Sequence, residues 1–141
     1  MGTRSTIALE YADGTVEQVY CHWDGYLEHN GQILARHYMD PFKVKELLAL
    51  GGFSSLCADV AETKDGAYHH WRGEELCINK FKDIEDYYKE CQGEEYDYIL
   101  RNIDGKAVWF VRYYETENTW MPLEEAFIDE QDRIAQEETE E

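Results

Sequence analysis

The sequence predicts an α+β fold: one domain, with a mostly antiparallel sheet built from two Asp-Gly hairpins and helices packed on one face of it. Three observations predict this. Asp13-Gly14 and Asp104-Gly105 each sit between runs rich in Val, Ile, Thr and aromatic residues, the pattern of a tight hairpin. Between them, Asp40-Pro41 opens and Gly51-Gly52 closes a run with helical apolar spacing.

In chain order, Ser5 to Leu9 and Thr15 to His22 read as the strands around the first turn. A short helix follows over 31–39, with Ile33, Leu34, His37 and Tyr38 on one side. Phe42 to Leu50 reads as a helix with Asp40 as N-cap and Pro41 at its first position, burying Val44, Leu47 and Leu48. Residues 53–80 are irregular, and Tyr68 to Gly73 and Leu76 to Ile78 read as short edge strands. Asp83 to Cys91 reads as a helix with Ile84, Tyr87, Tyr88 and Cys91 inward. Tyr96 to Ile103 and Ala107 to Tyr114 flank the second turn. In the latter strand Ala107, Trp109, Val111 and Tyr113 form an apolar face and Val108 and Phe110 nearly complete the other, as in a central strand. A last helix opens at Pro122 and carries Leu123, Ala126, Phe127 and Ile134. The domain is expected over 1–136, with 137–141 a disordered acidic tail.

At 141 residues with 43% hydrophobic and 14% aromatic content, the chain has core material for a single domain and is unlike a disordered one. Cys21, Cys57, Cys77 and Cys91 form no CxxC pair, so reduced thiols are expected and no structural zinc site. No window reaches the ~18 apolar residues of a membrane span, and the N-terminus lacks a signal-peptide profile. A protein of the cytoplasm is expected, without membrane contact.

Charge is the outlying property. There are 31 acidic and 13 basic residues, a formal net charge of −18, which argues against direct binding to a phosphate backbone. Residues 115–141 hold 11 acids and 1 base, and 74–98 hold 9 acids and 3 bases. If these segments converge, Glu85, Asp86, Glu90, Glu94, Glu95, Asp97, Glu124, Glu125, Asp129 and Asp132 would form one negative face. Such a face imitates a nucleic-acid backbone and suits a host protein with a basic nucleic-acid-binding groove. The plain alternative is that acidic excess keeps a small protein in solution. The sequence leaves a homodimer open.

The densest unusual stretch is Tyr20-Cys21-His22-Trp23-Asp24-Gly25-Tyr26-Leu27-Glu28-His29-Asn30-Gly31. His22, Asp24, Glu28 and His29 have metal-binding chemistry but no recognised spacing, so no metal or cofactor is expected. The plain reading is that Trp23 and Tyr26 pack under the loop, Gly25 supplies a positive φ, and Asp24 or Asn30 caps the next helix. Cys21 and His22 point to opposite strand faces and make a poor nucleophilic pair.

The opening Thr3-Arg4-Ser5-Thr6-Ile7-Ala8, the turn Asp13-Gly14-Thr15, the string YCHWDGY from Tyr20 to Tyr26 and His29-Asn30-Gly31 resemble a family of small uncharacterised proteins of bacteriophages and prophages. So do Ile33-Leu34, His37-Tyr38, Leu47, Leu50-Gly51 and Ser54-Ser55-Leu56. The resemblance covers residues 3–56 and departs at Leu27, where relatives often carry proline. It implies a viral or mobile-element protein acting in a bacterial cytoplasm, and no catalytic residue.

Three functions follow as expectations. The first is a phage accessory protein that inhibits a host defence or nucleic-acid-handling protein through an acidic, DNA-mimicking face. The second is a small metal-dependent enzyme using His22, Asp24 and His29. The third is a nucleotide-like ligand site in which Tyr20, Trp23, Tyr26 and Trp71 stack a base and Arg4, Arg36, Arg72 or Arg112 pairs a phosphate.

Overall fold

A computed structural model describes residues 3–116 and 119–140, the side chains of 137–140 excepted. The chain forms β1 (Ser5–Glu10), β2 (Val16–Cys21), a π turn (Leu27–Gly31), α1 (Gln32–His37), α2 (Pro41–Leu48), α3 (Val60–Lys64) and α4 (Tyr68–Arg72). There follow β3 (Asn79–Phe81), α5 (Ile84–Glu90), β4 (Tyr96–Ile103), β5 (Lys106–Tyr113), a 3-10 turn (Tyr114–Thr116), β6 (Met121–Pro122) and α6 (Leu123–Glu140). The six strands make one sheet in the order β3-β2-β1-β4-β5-β6. All neighbours are antiparallel except β1 and β4, which run parallel from Ser5↔Tyr96 to Leu9↔Leu100. This is the predicted α+β architecture, with the two hairpins joined through their inner strands.

Both Asp-Gly turns form as predicted. Asp104 and Gly105 have φ of 52° and 85°, the paired positive values of a two-residue hairpin. At the first turn Gly14 has φ 91°, the Asp13 carboxylate accepts from the Thr15 backbone and hydroxyl, and Tyr11 N bonds Thr15 O. The Asp40 side chain accepts from Phe42 N, and Pro41 opens α2, as the sequence predicts. The helix stops at Leu48 rather than Leu50.

One sheet face carries the main core: Ile7, Leu9, Val19, Tyr98, Leu100, Trp109 and Val111 meet Leu34 of α1, Val44, Leu47 and Leu48 of α2, and Leu123 and Ala126 of α6. The opposite face carries a smaller core of Ala8, Val16 and Ile99 under Tyr87 of α5, bordered by Phe81, Phe110 and Trp120. Helices therefore cover both faces, not the single face expected. Trp109 and Val111 are fully inside, as the alternation in β5 requires.

Residues 68–73 form helix α4 and not an edge strand. At their level the free edge of β2 is already occupied, because Phe53 N donates to Tyr20 O at 2.9 Å and His22 N to Phe53 O at 3.1 Å. Gly73, with φ 69°, is a left-handed helix terminator. The nearby strand is 79–81 instead of 76–78. The backbone of α6 continues as helix to Glu140, past the expected boundary at Gln136. Glu141 lies outside the described residues. Among the described residues no helix is long and apolar enough to cross a membrane.

Candidate functional site

The Tyr20 to Gly31 loop is built from the end of β2 outward. Cys21 is the last strand residue, and its buried thiol is pushed up to about 11 by burial, the opposite of what a nucleophile needs. Beyond it Trp23 N donates to Ser54 O at 2.8 Å and Gly25 N to Thr3 O at 2.8 Å. The buried Tyr98 hydroxyl donates to Gly25 O at 2.6 Å. Asn30, also buried, donates to Ser5 Oγ at 3.1 Å and Cys21 Sγ at 3.4 Å. The loop is thus clamped to β1, β2 and β4 from below.

Two details differ from the sequence expectation. The residue with positive φ is Asp24, at 58°. Gly25 is needed for closeness instead: a Cβ there would lie 2.7 Å from Ser5 Cβ and 2.9 Å from Thr3 O. Neither Asp24 nor Asn30 caps a helix, because the chain enters α1 through the π turn without a side-chain cap.

The loop's ionisable groups do not converge. His22 Nδ1 is 2.7 Å from the Tyr20 hydroxyl, while His29 Nδ1 donates to Asn30 Oδ1 at 2.9 Å. Glu28 is exposed. Among the described residues no group of three or more His, Cys, Asp or Glu side chains could hold a metal ion. Trp23 packs edge-on to His22 and is 43% exposed, rather than lying beneath the loop. Tyr26 is half-buried against His29.

The aromatic and arginine residues expected to hold a nucleotide are likewise spread. Trp71 on α4 is 59% exposed, with the Arg72 guanidinium 4.5 Å from its ring centre and 3.5 Å from Glu74. A cleft of about 290 Å³ is lined by Tyr20, Tyr68, His69, Glu74, Glu75 and Cys77, among others. Of the predicted set only Tyr20 reaches it, and two carboxylates occupy the wall where a phosphate would need a cation.

The acidic residues divide into three groups. Glu85, Asp86 and Glu90 lie on α5, and Glu94 and Glu95 on the turn after it; Asp86 is half-buried, accepting from Lys82 N, and the other four are exposed. Glu124, Glu125, Asp129 and Asp132 are exposed on α6. Because α5 belongs to the smaller core and α6 to the main one, the sheet stands between the two helices, so the ten carboxylates do not form one face. The third group is Asp97 alone, which is 2% exposed and therefore belongs to no surface.

Asp97 anchors a buried polar cluster. Its carboxylate accepts from the Thr6 hydroxyl at 2.6 Å, from Glu94 N at 3.0 Å and from Arg112 Nη2 at 3.1 Å. The Arg112 guanidinium lies 4.8 Å from the Trp120 ring centre and donates to Cys91 Sγ at 3.6 Å. The Cys91 thiol is pushed up by burial, an effect that Arg112 opposes. A signal for this pair was present in the sequence: opposite charges each set between apolar or aromatic neighbours, Asp97 between Tyr96 and Tyr98 and Arg112 between Val111 and Tyr113. Nearby in the same core layer, Tyr87 Oη is buried without a partner, as is Gln18 Nε2 on the same sheet face.

The acidic surface of α6 is the feature with the clearest external chemistry. Its 18 residues carry eight carboxylates and one cation, Arg133. That arginine is already engaged, by Glu115 at 2.8 Å and by Glu130. Comparison of the chain with known protein families, with curated proteins and with solved structures gives no match.

Proposed function

We propose that this chain is a phage or prophage accessory protein that binds and inhibits a host defence or nucleic-acid-handling protein in the bacterial cytoplasm, with α6 occupying that protein's basic groove. The observation that supports this is the charge density of α6. At 1.5 Å per residue the 14 residues from Leu123 to Gln136 span about 21 Å and carry five carboxylates, on average one per about 4 Å of axis, comparable to the spacing of phosphates along one DNA strand. Salt bridges neutralise little of this, because Arg133 alone provides positive charge on the helix. The carboxylates of α5 add to the negative field but face a different side of the molecule, so they steer the encounter rather than fill the groove.

Affinity purification of the tagged protein from bacterial cells at low salt, followed by elution with duplex DNA, tests the reading. The expected partner is a nucleic-acid-binding protein that DNA displaces and that physiological salt weakens. Combining Glu124→Gln, Glu125→Gln, Asp129→Asn and Asp132→Asn should abolish the interaction, although single exposed charges contribute only ~0.2 to 1 kcal/mol. A partner retained by that variant, or one that DNA never displaces, overturns the proposal.

A further inference from the structure

The outer edge of β5 is only partly covered. β5 pairs with β4 from Lys106 to Tyr113, whereas β6 pairs with it only at Phe110 and Val111. Among the described residues no strand lies beyond 106–109. In a two-residue hairpin the pair flanking the turn, here Ile103 and Lys106, is hydrogen-bonded across the ladder, and the pattern then alternates. Ala107, the next residue, therefore directs its N–H and C=O away from β4, towards the open side.

The two edges of the sheet are treated differently. At the far edge β3 is three residues long, with exposed Lys80 at its centre and Lys82 just beyond, which is how sheets discourage an added strand. The open part of β5 instead presents the main chain of Ala107, Val108 and the buried Trp109, with an exposed lysine, Lys106, only at its turn end. Beside it runs an apolar groove of about 350 Å³ completed by Ala35, Met39, Pro122 and Leu123, with Glu124 on its wall. Met39 is 45% exposed there.

We infer that this edge and groove bind an extended, cationic segment of a partner protein, which pairs with Lys106–Trp109 as an added strand and places alternate apolar side chains in the groove. The inference deepens the reading of α6 and rests on it: the acidic helix recruits a basic partner, and the β5 edge supplies main-chain pairing. Charge selects the occupant. A second copy of this chain would bring another −18 to the contact, while a cationic segment meets Glu124 on the wall and the following Glu125. Strand addition of this kind draws affinity from backbone hydrogen bonds and specificity from alternate side-chain pockets.

The test uses an end-blocked heptapeptide of alternating Lys and Val, followed by amide NMR on the whole chain. The peptide should shift the resonances of Lys106 to Trp109 and slow exchange of the Ala107 amide. A version N-methylated on alternate residues keeps the charge and side chains but loses the pairing, and should bind about tenfold or more weakly because the main-chain bonds carry affinity. A Glu-for-Lys version should not bind. Ala107→Pro should abolish binding of the first peptide; if that variant misfolds, the N-methylated peptide decides the matter with the unaltered chain. Equal binding of the N-methylated peptide overturns the inference. So does a response confined to α6, which leaves the charge-based proposal standing. Peptide-free sedimentation as a dimer with the Ala107 amide protected would assign the edge to a second copy and also overturn it. Conversely, peptide pairing at β5 together with a partner that survives neutralisation of α6 would keep the edge and discard the nucleic-acid mimicry.

Discussion

Asp97 and Arg112 face each other across the β4–β5 ladder, 3.1 Å apart, on a sheet position where the carboxylate has almost no contact with water. The pair also holds the turn after α5, through the bond from Glu94 N to Asp97. A side chain counted by composition among the surface acids is thus an interior tie between three strands and a loop.

Asp97→Ala should therefore destabilise the fold by about 3 kcal/mol, the lower part of the range for breaking a buried pair, because Arg112 retains some exposure. Thr6 and Glu94 N lose their acceptor as well. Arg112→Met combined with Asp97→Asn should recover part of the loss. Urea unfolding of the parent and the two variants measures this; an Asp97→Ala variant as stable as the parent would contradict the role given to the pair.

Replacing Trp109 or Val111 with Ala should cost roughly 2 to 5 kcal/mol, Trp109 at the upper end. Both are buried in the main core, and the Trp109 indole N–H donates to Tyr38 O at 3.0 Å. Melting temperatures unchanged by both substitutions would place β5 outside the core.

At the N-terminal loop, Gly25→Ala should be harmful and Asp24→Gly mild. The alanine methyl would meet Ser5 Cβ and the Thr3 carbonyl inside contact distance, and overpacking of this kind costs about 1 to 3 kcal/mol. Glycine at 24 relieves a positive φ. Thermal unfolding separates the two, and the reverse order would show that the loop geometry has been misassigned.

Alkaline pH should weaken the fold through thiols raised by burial, Cys21 most, with Cys57 and Cys91 shifted in the same direction by less. The Cys21 thiol is raised from 9.0 to about 11 in the folded chain, so between those values the unfolded chain has lost the proton that the folded chain still holds. The stability is complete below about pH 9 and is lost as pH rises to 11, an effect on the order of 2 to 3 kcal/mol. Burial raises Tyr87 and Tyr98 in the same direction, extending the loss above pH 10. Cys21→Ala should flatten the stability curve between pH 9 and 10. In the native state iodoacetamide should modify the exposed Cys77 well before Cys21; the opposite order would contradict the burial.

Local chemistry was well written in the sequence. Asp13-Gly14, Asp104-Gly105 and the Asp40-Pro41 cap each act within a few residues, and the alternation of β5 marks Trp109 and Val111 as interior. What was hidden depends on distant partners. Nothing local in residues 68–73 says that Phe53 and Ser54 already hold the end of β2, so a strand-like composition folds as α4. The side of the sheet chosen by α5 and α6 is decided by packing across 30 or more residues of chain, and with it the arrangement of the acidic groups. Asp97 looked like a surface acid because its countercharge lies on the next strand.

The parallel pairing of β1 with β4 also governs how the chain can be made. Ser5 finds its partner Tyr96 only after ninety intervening residues exist, so during synthesis β1 waits with one edge paired to β2 and the other bare. Closing so long a loop is slow relative to forming either hairpin. Both hairpins, held together by neighbouring residues, can form early and dock late, and β1, later the middle of the sheet, is the strand most exposed to mispairing while the ribosome completes the second half.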